Sequence, residues 1–334
     1  MLNMKVTTSI LNMINLFEEN PIPPMILLDI TNACNMNCIH CAHTIISKKN
    51  DYKIKHLDWL QFKKIIFELS FHDQPCLLRI VSSGEPMMHP KLIEMIEFAK
   101  ENTKCIVNLT TNGSLLFPEK CEKLLKSNID IIDISIDAMS KSVYNKIRQG
   151  GVYEQLMCNI FHLLQCRVQH KAKTKVVVSF VKQNENYHET DFFKSYWSDI
   201  VDFVMIRNLH SASGKVKQQE VLEKNVITLS KRYPCPHLWK RLIIDSYGRI
   251  KFCATDWELN SLVSTIDKTS LKQIWNNEKL KLLRKQHIAG SFNDDHFCKK
   301  CNDWATSQWD WGYERIVDKL VMEKPILNPC LPLI

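Results

Sequence analysis

The sequence predicts an α/β fold, a partial (β/α)6 barrel with a small Cys-rich C-terminal extension. Three observations carry that prediction. Short runs rich in Ile, Val and Leu alternate with longer helical patterns from Met25 to Ile206. These runs lack the polar–apolar alternation of a half-exposed strand, so they suit strands buried on both faces of a parallel sheet. In the last third the βα rhythm stops and the Cys density rises. Six strand-plus-helix repeats in succession imply a barrel or part of one rather than a sandwich.

Residues 1–24 form an N-terminal extension. Its amphipathic stretch, Ile10, Leu11, Met13, Ile14 and Phe17, precedes Pro21, Pro23 and Pro24, which cannot continue a helix. The stretch is read as a helix packed over one end of the fold, with a membrane-surface or partner helix as the alternative. Strands are predicted at Met25–Ile30, Leu77–Val81, Cys105–Leu109, Ile129–Ile136, Lys175–Val181 and Asp202–Ile206. Helices are expected near 57–70, 90–101, 118–127, 140–169 and 189–200, with a short final one. The barrel domain is bounded at 25–211, a polar connection at 212–230, the Cys-rich extension at 231–305 and a tail at 306–334. In such a barrel the chemistry gathers where the strands end and the βα loops open.

A chain of 334 residues buries roughly three quarters of its unfolded surface and needs no staple. Thirteen Cys, an odd number, with several inside apolar runs and no leader-like opening, point to a reducing cytoplasm rather than a disulfide framework. No apolar run approaches the length of a membrane span. The net charge of +8 is spread along the chain without a basic, aromatic-studded stripe, so no nucleic-acid partner is expected. An anionic small substrate, or the carboxylates and phosphates of cofactors, suits that charge equally well.

Directly after the first strand stands Cys34-Asn-Met-Asn-Cys38-Ile-His-Cys41, a C-x3-C-x2-C loop. Closed structural zinc wants four ligands, usually as paired C-x2-C halves. Three thiolates on one loop suit three irons of a cubane and leave the fourth iron open to a reacting ligand. A second constellation combines Cys235, Cys253 and the pair Cys298-Lys-Lys-Cys301, with Gly248 at the turn of a hairpin expected within Ile243–Cys253. Four thiolates can close a zinc site or saturate a cluster, and on residues alone both stand. Arg207, at the end of the sixth strand, should point to the barrel mouth as a substrate contact. Cys76, Cys105, Cys121, Cys158 and Cys166 have no ligand spacing and are assigned to packing. Trp304, Trp309 and Trp311 are expected to cover the second cysteine region.

The three-Cys loop after the first strand resembles the signature of the radical S-adenosylmethionine (SAM) superfamily. The resemblance implies a [4Fe-4S] cluster on Cys34, Cys38 and Cys41. Its open iron chelates SAM, whose reductive cleavage gives a 5′-deoxyadenosyl radical that abstracts a hydrogen atom. It also implies SAM contacts. His40 would lie against the adenine, and Ser83-Gly84-Glu85-Pro86, similar to G-G-E-P, would meet the SAM amine. Asn112 lies in a T-N-G turn, Ser135 in S-I-D, and Arg148 would clamp the carboxylate. The four distant Cys resemble the SPASM/twitch extension, which implies an auxiliary [4Fe-4S] cluster that carries electrons, hence two clusters in all. Single-auxiliary-cluster relatives include a dehydrogenase acting on an amino-cyclitol. The resemblance therefore implies oxidation or epimerisation of a small sugar- or cyclitol-like molecule, with reduced flavodoxin or ferredoxin as electron donor. Peptide modification by a SPASM maturase is the alternative enzyme, made less expected by the few residues before the first strand. A zinc-binding interaction protein is the non-enzymatic one.

Overall fold

The computed structural model describes residues 10–15, 20–72, 76–212, 232–294, 296–301, 303–306 and 309. The strands are β1 (Met25–Leu28), β2 (Leu77–Ile80), β3 (Ile106–Thr111), β4 (Ile131–Ser135), β5 (Lys175–Lys182), β6 (Phe203–Asn208), β7 (Arg241–Ile244), β8 (Arg249–Lys251) and β9 (Leu262–Thr265). They form one nine-stranded sheet in the order β6-β5-β4-β3-β2-β1-β7-β8-β9. β1 to β6 pair in parallel and in sequence order, as a singly wound barrel wall requires. β7 joins the free flank of β1 in parallel, and β8 and β9 follow it antiparallel. The Cys-rich extension is thus hydrogen-bonded into the barrel sheet. Of the polar connection at 212–230, all but residue 212 lies outside the described residues.

Every residue of β1 and β2 is buried, which explains why their sequences show no alternation. Ile26, Leu28, Leu78, Ile80 and Ile132 join the large core shared with the helices. Met25, Leu27, Leu77, Ile106, Ile131 and Val177 point the other way and fill the floor of the lumen. Above that floor the inner face turns polar, with Arg79, Asn108, Asp133 and Ser179 all buried. A residue two positions further along an inward-facing row therefore belongs to the barrel mouth.

Helices cover the outer face at Trp59–Ser70, Leu92–Asn102, Pro118–Lys126, Lys141–Ile147, Tyr153–Gln169 and Thr190–Ser198. The single helix expected over 140–169 is two, because the chain leaves helical geometry at Arg148 (φ −98°, ψ 58°) and turns through Gly150 with a left-handed φ of 91°. β3 reaches Thr111 and β6 runs from Phe203 to Asn208, so Arg207 sits within β6 rather than just beyond it. The hairpin expected within Ile243–Cys253 is β7–β8, turning at Gly248 (φ 72°). Strand β9 and the helices Leu271–Trp275 and Glu278–Ala289 carry no sequence expectation.

Residues 10–15 are helical, and Ile10, Met13 and Ile14 enter the main core. Phe17 lies outside the described residues. Cys76, Cys105, Cys121 and Cys166 are buried as packing residues, whereas Cys158 is exposed because its helix turns it outward. Among the described residues, no helix is long and apolar enough to cross a membrane.

Phe193 is fully buried, with its ring 4.7 Å from Phe180 and 6.3 Å from Trp197. Phe193→Ala should cost about 3–5 kcal/mol in chemical denaturation, the usual penalty for emptying a large core site. A loss below about 1 kcal/mol would show that this packing matters little.

Candidate functional site

The loop bearing Cys34, Cys38 and Cys41 leaves β1 at the C-terminal end of the parallel strands and has no helix or strand of its own. Its backbone groups must therefore find partners elsewhere. From the end of β2, Gly84 N donates to Thr31 O (3.1 Å) and Glu85 N to Ala33 O (2.7 Å). From the far side, Asn37 N donates to Gln149 O (2.8 Å) and Ile39 N to Ile147 O (3.0 Å). Asn32 ties the loop to residues 52–55, donating to Lys53 O (2.8 Å) and accepting from Lys55 N (2.7 Å).

Several predicted residues fasten this frame. A Cβ at Gly84 would lie 1.9 Å from Ala33 O, so only glycine admits the loop there. Buried Glu85 accepts from Thr111 Oγ1 (2.7 Å), Met87 N (3.0 Å) and Asn112 N (2.7 Å). Burial pushes its carboxyl pKa up, and those hydrogen bonds hold it down. Glu85 thus locks the ends of β2 and β3 together, a duty sequence reasoning did not assign to it. Asn112 Nδ2 donates to Asn35 Oδ1 (3.0 Å), which joins the T-N-G turn to the cysteine loop. Ser135 ends β4 half-buried, its backbone in register with Ser179. Ser83 donates through Oγ to Asp29 Oδ2 (2.7 Å).

Beside the thiols, Arg148 donates through Nη1 to Cys38 Sγ (3.7 Å) and through Nη2 to Asp137. Asp137 takes a left-handed φ of 61°, accepts from Val181 N (2.7 Å) and lies 3.6 Å from His40 Nε2. Burial lowers the His40 pKa to about 4 against the pull of Asp137, so its imidazole is neutral at pH 7. That suits an apolar ring contact better than charge pairing. Arg207 Nη2 donates to Asp133 Oδ2 (2.8 Å), and Arg79 Nη2 meets the same oxygen at 3.1 Å. Asp29, Arg79, Asp133 and Asp137 escaped the sequence reading as site residues. Their signal was a charge at the centre or end of an apolar strand run, as in Leu-Leu-Arg79-Ile and Ile-Ile-Asp133-Ile.

Two cysteine groups result. Burial pushes the Cys34 pKa to about 11, with Glu85 and Cys38 adding to it, and that of Cys41 to about 12, with Cys38 and Cys34 adding. In the extension, Cys253 and Cys301 raise that of Cys235 further, after burial, to about 12. Cys298 feels Cys253, Cys235 and Cys301 alike. Seven buried or half-buried thiols that oppose one another's ionisation fit a cationic group bound among each set. Among the described residues, no three His, Cys, Asp or Glu side chains converge as one metal ion would need. Trp309, buried, donates to Pro234 O (2.8 Å) beside Cys235, and Trp304 packs edge-on to Tyr233. Trp311 lies outside the described residues.

Gly84→Ala should displace the cysteine loop and remove roughly half the iron of reconstituted protein, with the circular dichroism of the fold retained. Iron analysis checks it, and unchanged iron would show that the loop does not depend on this contact.

The profile of the Radical SAM superfamily matches residues 28–191, and that of SPASM, an iron-sulfur cluster-binding domain, matches residues 235–302. The AdoMet-dependent heme synthase of Methanosarcina barkeri is 30% identical over 139 residues. That stretch covers 41% of this chain and 38% of the relative, so the chain matches well under half of that protein's length. Among solved structures, BtrN in complex with AdoMet and 2-DOIA superposes with a TM-score of 0.58 at 16% identity, covering 87% of this chain and 98% of BtrN. Streptococcus suis SuiB bound to precursor peptide SuiA gives 0.63 at 14% identity, covering 98% and 78%. The two profiles fall on the two cysteine groups the fold assembles, and the chain belongs to the radical SAM superfamily, with a SPASM-type domain behind its partial barrel.

Proposed function

We propose that this enzyme abstracts a hydrogen atom from a small polar, sugar- or cyclitol-like substrate and oxidises or epimerises it. One observation carries the reading. The barrel mouth is lined by buried charged and hydroxyl side chains, the network of Arg79, Asp133, Ser179 and Arg207 above an apolar floor. A small molecule rich in hydroxyl or ionic groups matches that lining better than an apolar one does. The near full-length likeness to BtrN, solved with AdoMet and 2-DOIA, favours the same size of substrate.

In this reading Cys34, Cys38 and Cys41 hold the catalytic [4Fe-4S] cluster, and Cys235, Cys253, Cys298 and Cys301 an auxiliary one. When bound, the first cluster with SAM supplies the 5′-deoxyadenosyl radical. The chain's own residues do the positioning. Neutral His40 lies where an adenine ring would rest. Ser83, Gly84 and Asn112 present the edge that meets the amino-acid end of SAM, within a frame held by Glu85. Ser135 reaches the ribose side, and Arg148, already beside Cys38, offers its fork to a carboxylate. Arg207, partly exposed at the mouth, contacts substrate. Reduced flavodoxin or ferredoxin supplies the electron, in the reducing cytoplasm that free thiols require.

A second reading, modification of a peptide, is favoured by the likeness to SuiB bound to its precursor peptide over 98% of this chain.

Deuterium transfer separates the two. Perdeuterated amino sugars and cyclitols should label 5′-deoxyadenosine, whereas label from peptides alone would select the second reading. Reconstituted enzyme should hold about eight irons per chain. Cys38→Ala should abolish 5′-deoxyadenosine formation. Cys298→Ala should keep it, at roughly half the iron, while losing the oxidised product. One or two zincs and no iron would sink both readings.

A further inference from the structure

Asp29 stands immediately after β1, in the inward row of Met25 and Leu27 that lines the lumen. It is 8% exposed. Its Oδ2 accepts from Ser83 Oγ at 2.7 Å, while its Oδ1 is buried and without a hydrogen-bond partner. A buried carboxylate oxygen left without a donor costs on the order of 1–3 kcal/mol or more, and the chain supplies none. Burial pushes the Asp29 pKa to about 6, and the hydrogen bonds from Ser83 restrain that rise.

Its neighbours locate it in the reaction site. Ser83 adjoins Gly84, the residue that packs on Ala33 next to Cys34. On the other side, Asp29 N donates to Ile244 O in β7 (2.8 Å). Lys251 of β8, two residues before Cys253, attracts the carboxylate, while Asp245 after β7 and Tyr52 from the 47–58 loop oppose its charge. Asp29 therefore stands at the start of the loop that carries Cys34, Cys38 and Cys41, on the strand that β7 of the Cys-rich extension pairs with. A group of the substrate held there would lie at the edge the extension shares with the barrel mouth.

We propose that Asp29, held by Ser83, is the specificity residue that anchors a hydroxyl or ammonium group of the substrate on its unoccupied Oδ1. A carboxylate oxygen can only accept, so the anchored group must be a donor. This inference rests on the proposed radical chemistry but not on which compound undergoes it.

The test uses reconstituted holoenzyme and whichever probe of a panel, perdeuterated amino sugars, cyclitols and peptides, labels 5′-deoxyadenosine. Asp29→Asn should lower kcat/KM for that probe roughly 10- to 100-fold, the range for loss of a charge-assisted hydrogen bond. SAM affinity, iron content and substrate-free SAM cleavage should stay as in wild type. Asp29→Ser, which keeps a small polar side chain but removes the carboxylate, should lose at least as much by the same assay and stands in should Asp29→Asn not fold. A deoxy analogue of the probe lacking the anchored group should lose the same factor on wild type and nothing more on Asp29→Asn. Label from peptides alone would overturn the sugar-like reading and leave Asp29 to be judged on the peptide by the same ratio. An Asp29→Asn kcat/KM within twofold of wild type, or a parallel fall in SAM affinity, would overturn the anchor.

Discussion

The loop that carries Cys34, Cys38 and Cys41 has no secondary structure of its own, and the rest of the barrel mouth is arranged to hold it. Backbone groups near Cys34, Cys38 and Cys41 are held by the ends of β1 and β2, by residues 52–55 and by the turn at residues 147–151. Each partner works only if its own backbone comes close, which is why glycines stand at 84, 150 and 151. Side chains added at Gly151 would strike Tyr144 and Met36, and at Gly84 the loop itself. The strand-end motifs are thus mechanical: they brace the loop. Glu85 and Asn112 brace the ends of β2 and β3 around the thiols, and Arg148 with Asp137 braces them from the opposite side.

The second organising feature is the free edge of β1. An open barrel leaves unpaired strand groups there, and β7 covers them in parallel register from Met25 to Leu28. The β7–β8 hairpin then places Cys253 at its end, and Cys235 lies six residues before β7. Closing a sheet edge and bringing a second cysteine group to the barrel are one structural act. His287 accepts from Cys235 N (3.3 Å), and Arg232 donates to Cys298 O (2.6 Å), so this group too is framed by backbone hydrogen bonds.

Much of this was legible in the sequence. The six parallel strands were readable because burial on both faces leaves continuous apolar runs, and the C-x3-C-x2-C motif because its three cysteines stand close in the chain. The break at Gly150 was not legible, since the helical pattern resumes within a few residues on both sides. β9 and the helices after it were missed because the extension packs short elements without a repeating period. Glu85 read as a charge for a ligand, yet its oxygens are taken by Thr111, Asn112 and Met87, which only three-dimensional neighbours reveal. Asp29, Asp133 and Arg79 fell inside runs read only as strands. Buried side by side on the inner face, they form the polar wall of the mouth.

The central claim is that two separate thiol groups hold two reducible clusters and that only the loop after β1 offers an open iron. Electron paramagnetic resonance of the reduced, reconstituted enzyme with and without SAM tests it most directly. The account predicts two cluster signals, of which SAM shifts one and leaves the other untouched. A single signal, or two signals that both ignore SAM, would contradict it.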